Sequence, residues 1–399
     1  MLVRARTVVT MADEPIEDGA VLIDGDRIVA VGKFNDLKNQ GGVELIDLGE
    51  RILLPGLINA HCHLDYTLLR GETPRQASFT DWIRAINAAK ANISPHQYVA
   101  SINDGFAEAA RFGTTTIANL TAFPELIAQI TEPIRTWWFA ELIDIRQPND
   151  ARRMANDAVE RLKSTPRWGL APHAPFTASP DLYRRCAEIA RQQNALLTTH
   201  LAESVEEMQM SSATRGPLRD FLAAINPNLF QSNGRTPVEN VISTVGSIDD
   251  RWLIVHLNSI GNADAEFLAR QSTKCHVIHC PRSHEYFGHE RFQFEQLRKL
   301  GFNICLGTDS LASNKDLSLF AEMRRFAEIH TNVSCREIIE MVTINAARAL
   351  QQESMLGCIQ PGAFADLIAI DHADANHVFE QVVNNTPPVA WSMVAGQQL

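Results

Sequence analysis

Eight short apolar runs recur along the middle of the chain, and each is followed by a stretch whose apolar residues have helical spacing. Runs of four to six residues are typical of buried parallel strands, which helical crossovers bring back to the same side of a sheet. Eight such units over about 250–300 residues predict an α/β fold, the (β/α)8 or TIM barrel. The runs are Gly56–His61, Thr115–Asn119, Thr136–Glu141, Trp168–Ala171, Leu196–His200, Trp252–His256, His276–His279 and Phe302–Leu306.

The alternative to a barrel is an open, doubly wound sheet. Such a sheet usually has a glycine-rich turn after its first strand, where it binds phosphate groups. No turn of this kind follows the first run, which ends at His61. The intervening helices have ordinary start signals, such as the capping box from Ser334 to Glu337. The barrel is therefore the favoured prediction.

Both ends of the chain have the pattern of short strands and turns. Residues 24–27 separate two apolar runs in the manner of a β-hairpin, and Pro361-Gly362 precedes another apolar run near the carboxyl end. We predict that residues 1–55 and 360–399 form one small composite β-sandwich domain, and that residues 56–359 form the barrel. Two independent edge hairpins are the alternative.

Composition excludes several classes of partner. The 399 residues include 36 Lys plus Arg and 47 Asp plus Glu, a net charge of −11, which argues against a nucleic-acid polymer but not against a small substrate. The chain has no apolar stretch of about 18 residues that would span a membrane. Its seven cysteines contain no CxxC pair, so we expect no disulfide framework and a cytoplasmic location.

Residues with metal-binding chemistry stand at the ends of these runs. His61 and His63 point to the same side of an extended segment, His200 ends the fifth run, and Asp309 follows the eighth. In a barrel the carboxyl ends of the strands form the active-site face. Three imidazoles and one carboxylate suit zinc or iron, with a position left for water. Each histidine taken alone is more often a structural hydrogen-bonding residue.

The catalytic roles that we predict follow from this chemistry. A bound metal lowers the pKa of its water to about 7, and His256 and Asp309 can orient the resulting hydroxide and take its proton. Glu203 lies three residues after His200, where it can shuttle a proton to the substrate. The alternative for Glu203 is an acidic residue favoured by the dipole at the start of a helix.

These residues resemble a known superfamily. Residues 54–63, 200–203, 256 and 308–310 look like the amidohydrolase superfamily, and in particular its metal-dependent aminohydrolases, which include cytosine, guanine and adenosine-type deaminases and triazine chlorohydrolases. The resemblance covers essentially the whole chain. It implies Glu203 as the proton shuttle, His256 as a partner of the hydroxide or substrate, and four metal ligands: His61, His63, His200 and Asp309.

The same resemblance bears on the number of metal ions. Binuclear members of the superfamily have a carboxylated lysine at the end of strand four, whereas residues 171–176 of this chain contain no lysine. One divalent metal is therefore expected, with zinc as the first choice and iron as the second.

Three segments resemble deaminases of adenine nucleosides and their thioether derivatives, namely residues 68–71, 78–82 and 172–176. The resemblance implies that His173 touches the purine. Trp82 and Phe176 can stack on a planar heterocycle through their aromatic faces. For both aromatic residues, a place in the ordinary hydrophobic core is the alternative.

Two departures from those deaminases narrow the expected substrate. The acidic residue that grips the ribose hydroxyls in the thioether-nucleoside enzymes is absent from residues 83–93. The segments 280–289 and 310–314 resemble the branch that contains aminofutalosine deaminases. Arg282 and His284 could then bind the acidic side arm of such a substrate at the barrel mouth. A cluster that only orders its loop is the alternative.

The resulting hypothesis is an aminohydrolase that replaces an exocyclic amine by a carbonyl on a 6-aminopurine nucleoside resembling aminofutalosine or adenosine. The alternatives are deamination of free guanine or cytosine, and hydrolysis of another C–N or C–Cl bond. A metal-binding scaffold without catalysis would leave Glu203 and His256 without a role. A homodimer is one expectation for the oligomeric state, since exposed barrel helices often form dimers.

Overall fold

A computed structural model describes residues 1–39, 42–227, 234–271, 273–374 and 376–399. Its strands fall into two sheets, one built from the middle of the chain and one from its two ends. The strands are β1 Leu2–Val8, β2 Ile16–Asp24, β3 Arg27–Lys33, β4 Leu45–Asp47, β5 Arg51–Pro55, β6 Leu57–Cys62, β7 Thr114–Thr121, β8 Arg135–Leu142, β9 Trp168–Pro172, β10 Leu196–Leu201, β11 Trp252–His256, β12 His276–His279, β13 Asn303–Leu306, β14 Leu367–Asp371, β15 Trp391–Val394 and β16 Gln397–Gln398.

Helices follow the barrel strands and cover their outer side. Short 3-10 helices occur at Leu64–Leu69, Pro124–Gln129 and Pro148–Asp150. The α-helices are α1 Phe34–Leu37, α2 Phe79–Lys90, α3 Pro95–Arg111, α4 Ala151–Leu162, α5 Pro180–Gln193, α6 Val205–Ala213, α7 Pro217–Ala223, α8 Pro237–Val245, α9 Asn262–Ala269, α10 Pro281–Phe287, α11 Phe294–Lys299, α12 Leu319–Ile329, α13 Cys335–Glu340, α14 Ile344–Ala349 and α15 Val378–Asn384.

The middle of the chain is an eight-stranded parallel sheet in the order β6 to β13, curled into a nearly closed barrel. Each predicted run coincides with one barrel strand to within two residues at either end. The strands are buried on both faces, which explains why their sequences read as continuous apolar runs. The prediction of a (β/α)8 barrel is therefore confirmed.

The barrel closes where its first and last strands meet. The carbonyl oxygen of His61 accepts the amides of Thr308, at 3.1 Å, and Asp309, at 3.2 Å. Gly307 lies against this carbonyl so tightly that a Cβ atom there would be 2.7 Å from the oxygen. A glycine is required at this position because the two backbones approach so closely.

The two ends of the chain share one mixed eight-stranded sheet. β14 pairs antiparallel with β5, and β5 pairs parallel with β1. The ends therefore do not form independent hairpins, whereas the division of the chain at residues 55 and 360 stays a prediction. None of the helices in the described ranges has the length and apolar character needed to cross a bilayer. The cytoplasmic location also stays a prediction.

Candidate active site

A cavity of about 650 Å³ opens at the carboxyl ends of the barrel strands. Most of the predicted site residues line it: His63, Trp82, His173, Phe176, His200, Glu203, His256 and Asp309. His61 lies just beneath, fully buried. A second cavity, of about 780 Å³, lies at the amino ends of β12 and β13 and contains none of the predicted residues.

The four predicted metal ligands converge at the inner end of this cavity. The Nε2 atoms of His63 and His200 lie 3.2 Å apart and face each other. The Nε2 atom of His61 is 3.8 Å from Oδ1 of Asp309. His61, His63 and Asp309 can bring one ligand atom each within 4.8 Å of one another, as can His61, His200 and His256. The fold thus brings together the predicted ligands that strands one, five and eight supply.

Burial makes this arrangement costly without a cation. Both ring nitrogens of His61 are buried and have no hydrogen-bond partner among the described residues. An unsatisfied buried polar group costs about 1–3 kcal/mol. Burial, followed by the neighbouring His173, lowers the pKa of His200 to about 3, and burial also lowers the pKa of His63 and His256. These imidazoles are therefore neutral, the form that coordinates a metal.

Hydrogen bonds fix the carboxylate of Asp309. The hydroxyl of Ser283 donates to Oδ2 at 2.6 Å, and the amide of Ser310 donates to Oδ1 at 2.7 Å. Asp309 itself has a φ of 58°, and His256 has a φ of 78°. Left-handed backbone is strained for residues other than glycine, and such strain is often found at functional sites.

Glu203 lies on the loop that follows β10, buried beside His256. Its Oε1 atom is 3.6 Å from Nε2 of His256. Burial first, and then the charges of Asp309 and Glu207, raise the pKa of Glu203 well above its usual range. Glu207 holds the loop in place, because its carboxylate accepts the amides of Ala202, at 3.1 Å, and Glu203, at 2.8 Å. The result is a buried carboxyl group whose pKa is raised by its surroundings, as a group that exchanges protons requires.

Aromatic side chains form the wall of the cavity next to this acid–histidine cluster. Trp82 lies on α2 and contacts the rings of Phe79, at 6.1 Å, and Phe287, at 4.8 Å. Phe176 meets the ring of His173 edge-on at 5.9 Å. The Nδ1 atom of His173 is 2.6 Å from the hydroxyl of Thr177, which fixes the plane of the imidazole.

Arg282 and His284 do not line this cavity, contrary to the expectation for a substrate-binding pair. Arg282 pairs with Asp316 at 2.7 Å and lies 3.8 Å from the fully buried carboxylate of Glu322. His284 is buried and its Nδ1 atom is 3.0 Å from Oδ1 of Asn258. Ser283, the residue between them, is the one that reaches the metal-ligand set, through Asp309.

Sequence reasoning also missed several residues of the cavity. Glu141, at the end of β8, lies between His63 and His173. Lys90, Arg84 and Arg146 add positive charge to the lining. Glu141 is the last residue of the third apolar run, and this position is the signal that could have identified it.

Comparison with known proteins identifies the family. The amidohydrolase family matches residues 52–398, which is most of the chain. The chain belongs to the amidohydrolase family. This amidohydrolase is accordingly a hydrolase that acts on carbon–nitrogen bonds. Residues 19–40 also match the imidazolonepropionase-like composite domain of bacteria.

Individual relatives of this amidohydrolase are deaminases. The 5-methylthioadenosine/S-adenosylhomocysteine deaminase of Syntrophobacter fumaroxidans is 29% identical over 373 residues, covering 89% of this chain and 80% of the relative. The crystal structure of an adenosine deaminase from Xanthomonas campestris with bound zinc has a TM-score of 0.84, at 24% identity, and covers all of this chain and 92% of that one. The crystal structure of Helicobacter pylori aminofutalosine deaminase in complex with methylthio-coformycin has a TM-score of 0.87, at 21% identity. The match covers 100% of this chain and 99% of that one. These two structural likenesses concern the fold.

Proposed function

We propose that this amidohydrolase deaminates a 6-aminopurine nucleoside. The observation that carries the proposal is the convergence of three buried histidines, Asp309 and the buried carboxyl of Glu203 at the inner end of one cavity with aromatic walls. One water molecule is added to the ring carbon, and one ammonia molecule leaves. The names of the deaminase relatives support the same class of substrate.

The residues present fit one divalent metal ion. His61 has two buried nitrogens without partners, and a cation would satisfy one of them. His61, His63, His200 and Asp309 would hold the ion, with zinc as the first choice for this mixture of nitrogen and oxygen ligands and iron as the second. When bound, the metal supplies a water molecule with a pKa near neutrality as the nucleophile.

The protein's own groups move the protons. His256 and Asp309 lie where they can orient the attacking water, and Asp309 can take its proton. Glu203 lies beside His256, and its raised pKa suits a group that gives a proton to the departing amine. Asp309 thus acts in the attack of water on the ring, and Glu203 acts in the departure of ammonia.

The shape of the cavity supports a purine ring. Trp82 and Phe176 offer flat apolar surfaces, and such faces stack on heterocycles. His173 is held by Thr177 through Nδ1, and its Nε2 atom, 3.9 Å from Oε1 of Glu141, can face the edge of the ring. A nucleoside's sugar and 5′ substituent would then extend toward the mouth.

Charge at the mouth supports an acidic 5′ substituent. Arg84 and Arg146 are exposed side chains that line the cavity. Arg84 pairs with Asp81 at 3.0 Å, whereas Arg146 forms no ion pair within the described part of the chain. Arg146 is therefore the better candidate for a carboxylate on the substrate, a role that Arg282 and His284 are not positioned to take.

A side-by-side assay of ammonia release tests the proposal. The zinc-loaded protein is supplied with adenosine, adenine nucleosides bearing an acidic or bulky 5′ substituent, free adenine, guanine, cytosine and a chlorotriazine. We expect the substituted nucleosides to have the highest kcat/KM. A preference for guanine or cytosine would overturn the nucleoside proposal, and chloride release without ammonia would overturn deamination. The metal-loaded Glu203→Gln variant is the control for contaminating activity.

A further inference from the structure

Glu141 is a buried carboxylate in the cavity wall that the proposed reaction does not use. It lies at the carboxyl end of β8, and its side chain is only 5% exposed. Its Oε1 atom is 3.6 Å from Nδ1 of His63 and 3.9 Å from Nε2 of His173. A buried carboxylate that faces two imidazoles needs an explanation, because an unpaired charge is costly inside a protein.

The orientation of the His63 ring explains why a carboxylate is buried at this place. Its Nε2 atom faces Nε2 of His200, on the side of the ligand cluster, and its Nδ1 atom points the opposite way, toward Glu141. An imidazole that coordinates a cation through Nε2 must keep its remaining proton on Nδ1. His200 has an acceptor on its own Nδ1 side, since the carbonyl oxygen of His173 lies 3.0 Å away.

We propose that Glu141 is the positioning residue of His63: its carboxylate, 3.6 Å from Nδ1, attracts the proton on that nitrogen and thereby directs Nε2 into the metal site. Ligating histidines generally donate their second ring N–H to a carboxylate, a backbone carbonyl or water. His63 takes the carboxylate and His200 takes the carbonyl. The inference rests on the metal site of the proposed function.

The other groups around His63 fix the plane of its ring, but they do not select the ring edge that faces the ligand cluster. Tyr66 stacks on the ring of His63 at 5.8 Å with 20° between the planes, and the Lys90 amine lies 4.8 Å above the ring of Tyr66. This stack fixes the plane of the imidazole. It does not decide which edge of the ring faces the ligand cluster, and the carboxylate on one side makes that choice.

One competing role for Glu141 is a contact with substrate or with His173, and another is that of a metal ligand, because Glu141, His173 and His200 can also bring one ligand atom each within 4.8 Å of one another. The positioning role and the substrate contact differ in what they predict for a protein without substrate. A residue that positions His63 alters the affinity for metal itself, whereas a substrate contact alters KM alone. Thr177→Val is a matched control, because it removes the Nδ1 partner of His173 and leaves His63 unchanged.

The test is the zinc dissociation constant, measured by competition with a chromophoric chelator in the absence of substrate. Glu141→Ala should weaken zinc binding roughly 10- to 100-fold. Glu141→Gln keeps the shape but offers only a neutral acceptor, so it should still weaken zinc binding, by less than Glu141→Ala does. Thr177→Val should bind zinc as the unchanged protein does. The absorption spectrum of bound Co²⁺ should change in Glu141→Ala and not in Thr177→Val.

Several outcomes would overturn the inference. Unchanged zinc affinity in both Glu141 variants, or an effect confined to KM, would assign Glu141 to the substrate. Equal weakening by Thr177→Val would indicate a general loosening of the site. If Glu141→Ala does not fold, unchanged affinity in Glu141→Gln with an unchanged Co²⁺ spectrum decides against it. Failure of the unchanged protein to bind stoichiometric zinc would overturn the proposed function as well, so the two failures are distinguishable.

Discussion

Glu203 is the side chain whose surroundings most clearly indicate proton transfer. Burial raises the pKa of its carboxyl, and the carboxylate of Glu207 accepts its backbone amide, so its position is fixed by the protein itself. A group that must protonate a departing amine at neutral pH needs a pKa raised in this way. An ordinary helix-start glutamate would be exposed and ionised.

Replacing Glu203 by Gln should retain the fold and the metal and lower kcat roughly 10²- to 10⁴-fold, the usual contribution of a general acid–base group. Glutamine keeps the size of the side chain and cannot release a proton. Metal content by elemental analysis and ammonia release measure the two effects separately. Near-normal turnover in a metal-loaded Glu203→Gln protein would show that Glu203 only begins a helix.

Substitutions of Arg146 and Arg282 should differ in whether they change substrate binding or thermal stability. Arg146→Ala should raise KM for an acidic nucleoside roughly 10- to 100-fold and leave KM for adenosine almost unchanged, since a hydrogen bond to a charged group contributes about 1.5–3 kcal/mol. Arg282→Ala should instead lower the melting temperature, because it leaves the buried carboxylate of Glu322 without its cation. Steady-state kinetics on both nucleosides, with thermal unfolding of both variants, provide the comparison. If Arg282→Ala raised KM for the acidic nucleoside and not for adenosine, this assignment of the two arginines would be wrong.

At the scale of elements, helix α2 is held over the cavity by a carboxylate from another helix. Glu206, in the first turn of α6, accepts the backbone amides of Phe79, at 2.9 Å, and Thr80, at 3.1 Å. These amides are among the unpaired donors at the start of α2, so the bond both caps and docks the helix. Because Trp82 lies on α2, this contact sets one wall of the cavity.

Glu206→Ala should therefore raise KM for the nucleoside several-fold with little change in zinc affinity. The loss of hydrogen bonds to a charged acceptor, each of about 1.5–3 kcal/mol, loosens the docked helix without touching a ligand histidine. Faster hydrogen exchange of the amides in residues 79–90 is the structural measurement. Unchanged exchange there, or a fall in zinc affinity equal to the rise in KM, would argue against this role.

The elements of the barrel were predictable to within two residues, whereas side-chain directions on the short helices were not. A buried parallel strand has an apolar run and a polar end, so His61, His200 and Asp309 could be assigned from sequence. On α10, consecutive side chains point about 100° apart, so adjacent residues face different surroundings. The sequence placed the segment at the barrel mouth but gave no means of choosing Ser283 over Arg282.

At the scale of the whole molecule, a nearly buried ion pair joins the barrel to the terminal sheet. Arg135, at the amino end of β8, binds Asp366 at 2.5 Å and lies 3.8 Å from the centre of the Phe364 ring. Asp366 also accepts the amide of Ala395 at 2.7 Å. Both side chains of the pair are nearly buried, so the loss of either leaves a charge without a partner.

Asp366→Ala should cost about 3–5 kcal/mol of stability, the usual penalty for breaking a buried pair. The double variant Arg135→Met, Asp366→Leu should be more stable than Asp366→Ala, because no unpaired charge remains. Thermal unfolding of the zinc-loaded proteins measures the order of their stabilities. A double variant that is less stable than Asp366→Ala would show that packing against Phe364, rather than charge, holds the two parts together.

The contact between the first and last barrel strands determines when the proposed metal site can form during synthesis. Asn59, in the first barrel strand, donates to the hydroxyl of Thr308, 249 residues later, beside the last ligand. During synthesis the final barrel strand leaves the ribosome after the other seven, so a nascent chain that ends before this strand lacks Asp309. An ion that binds only the closed ring stabilises finished molecules and leaves truncated ones unprotected. A molecule that lacks the last barrel strand would thus gain nothing from the ion, whereas one in which all eight strands are paired would be stabilised by it.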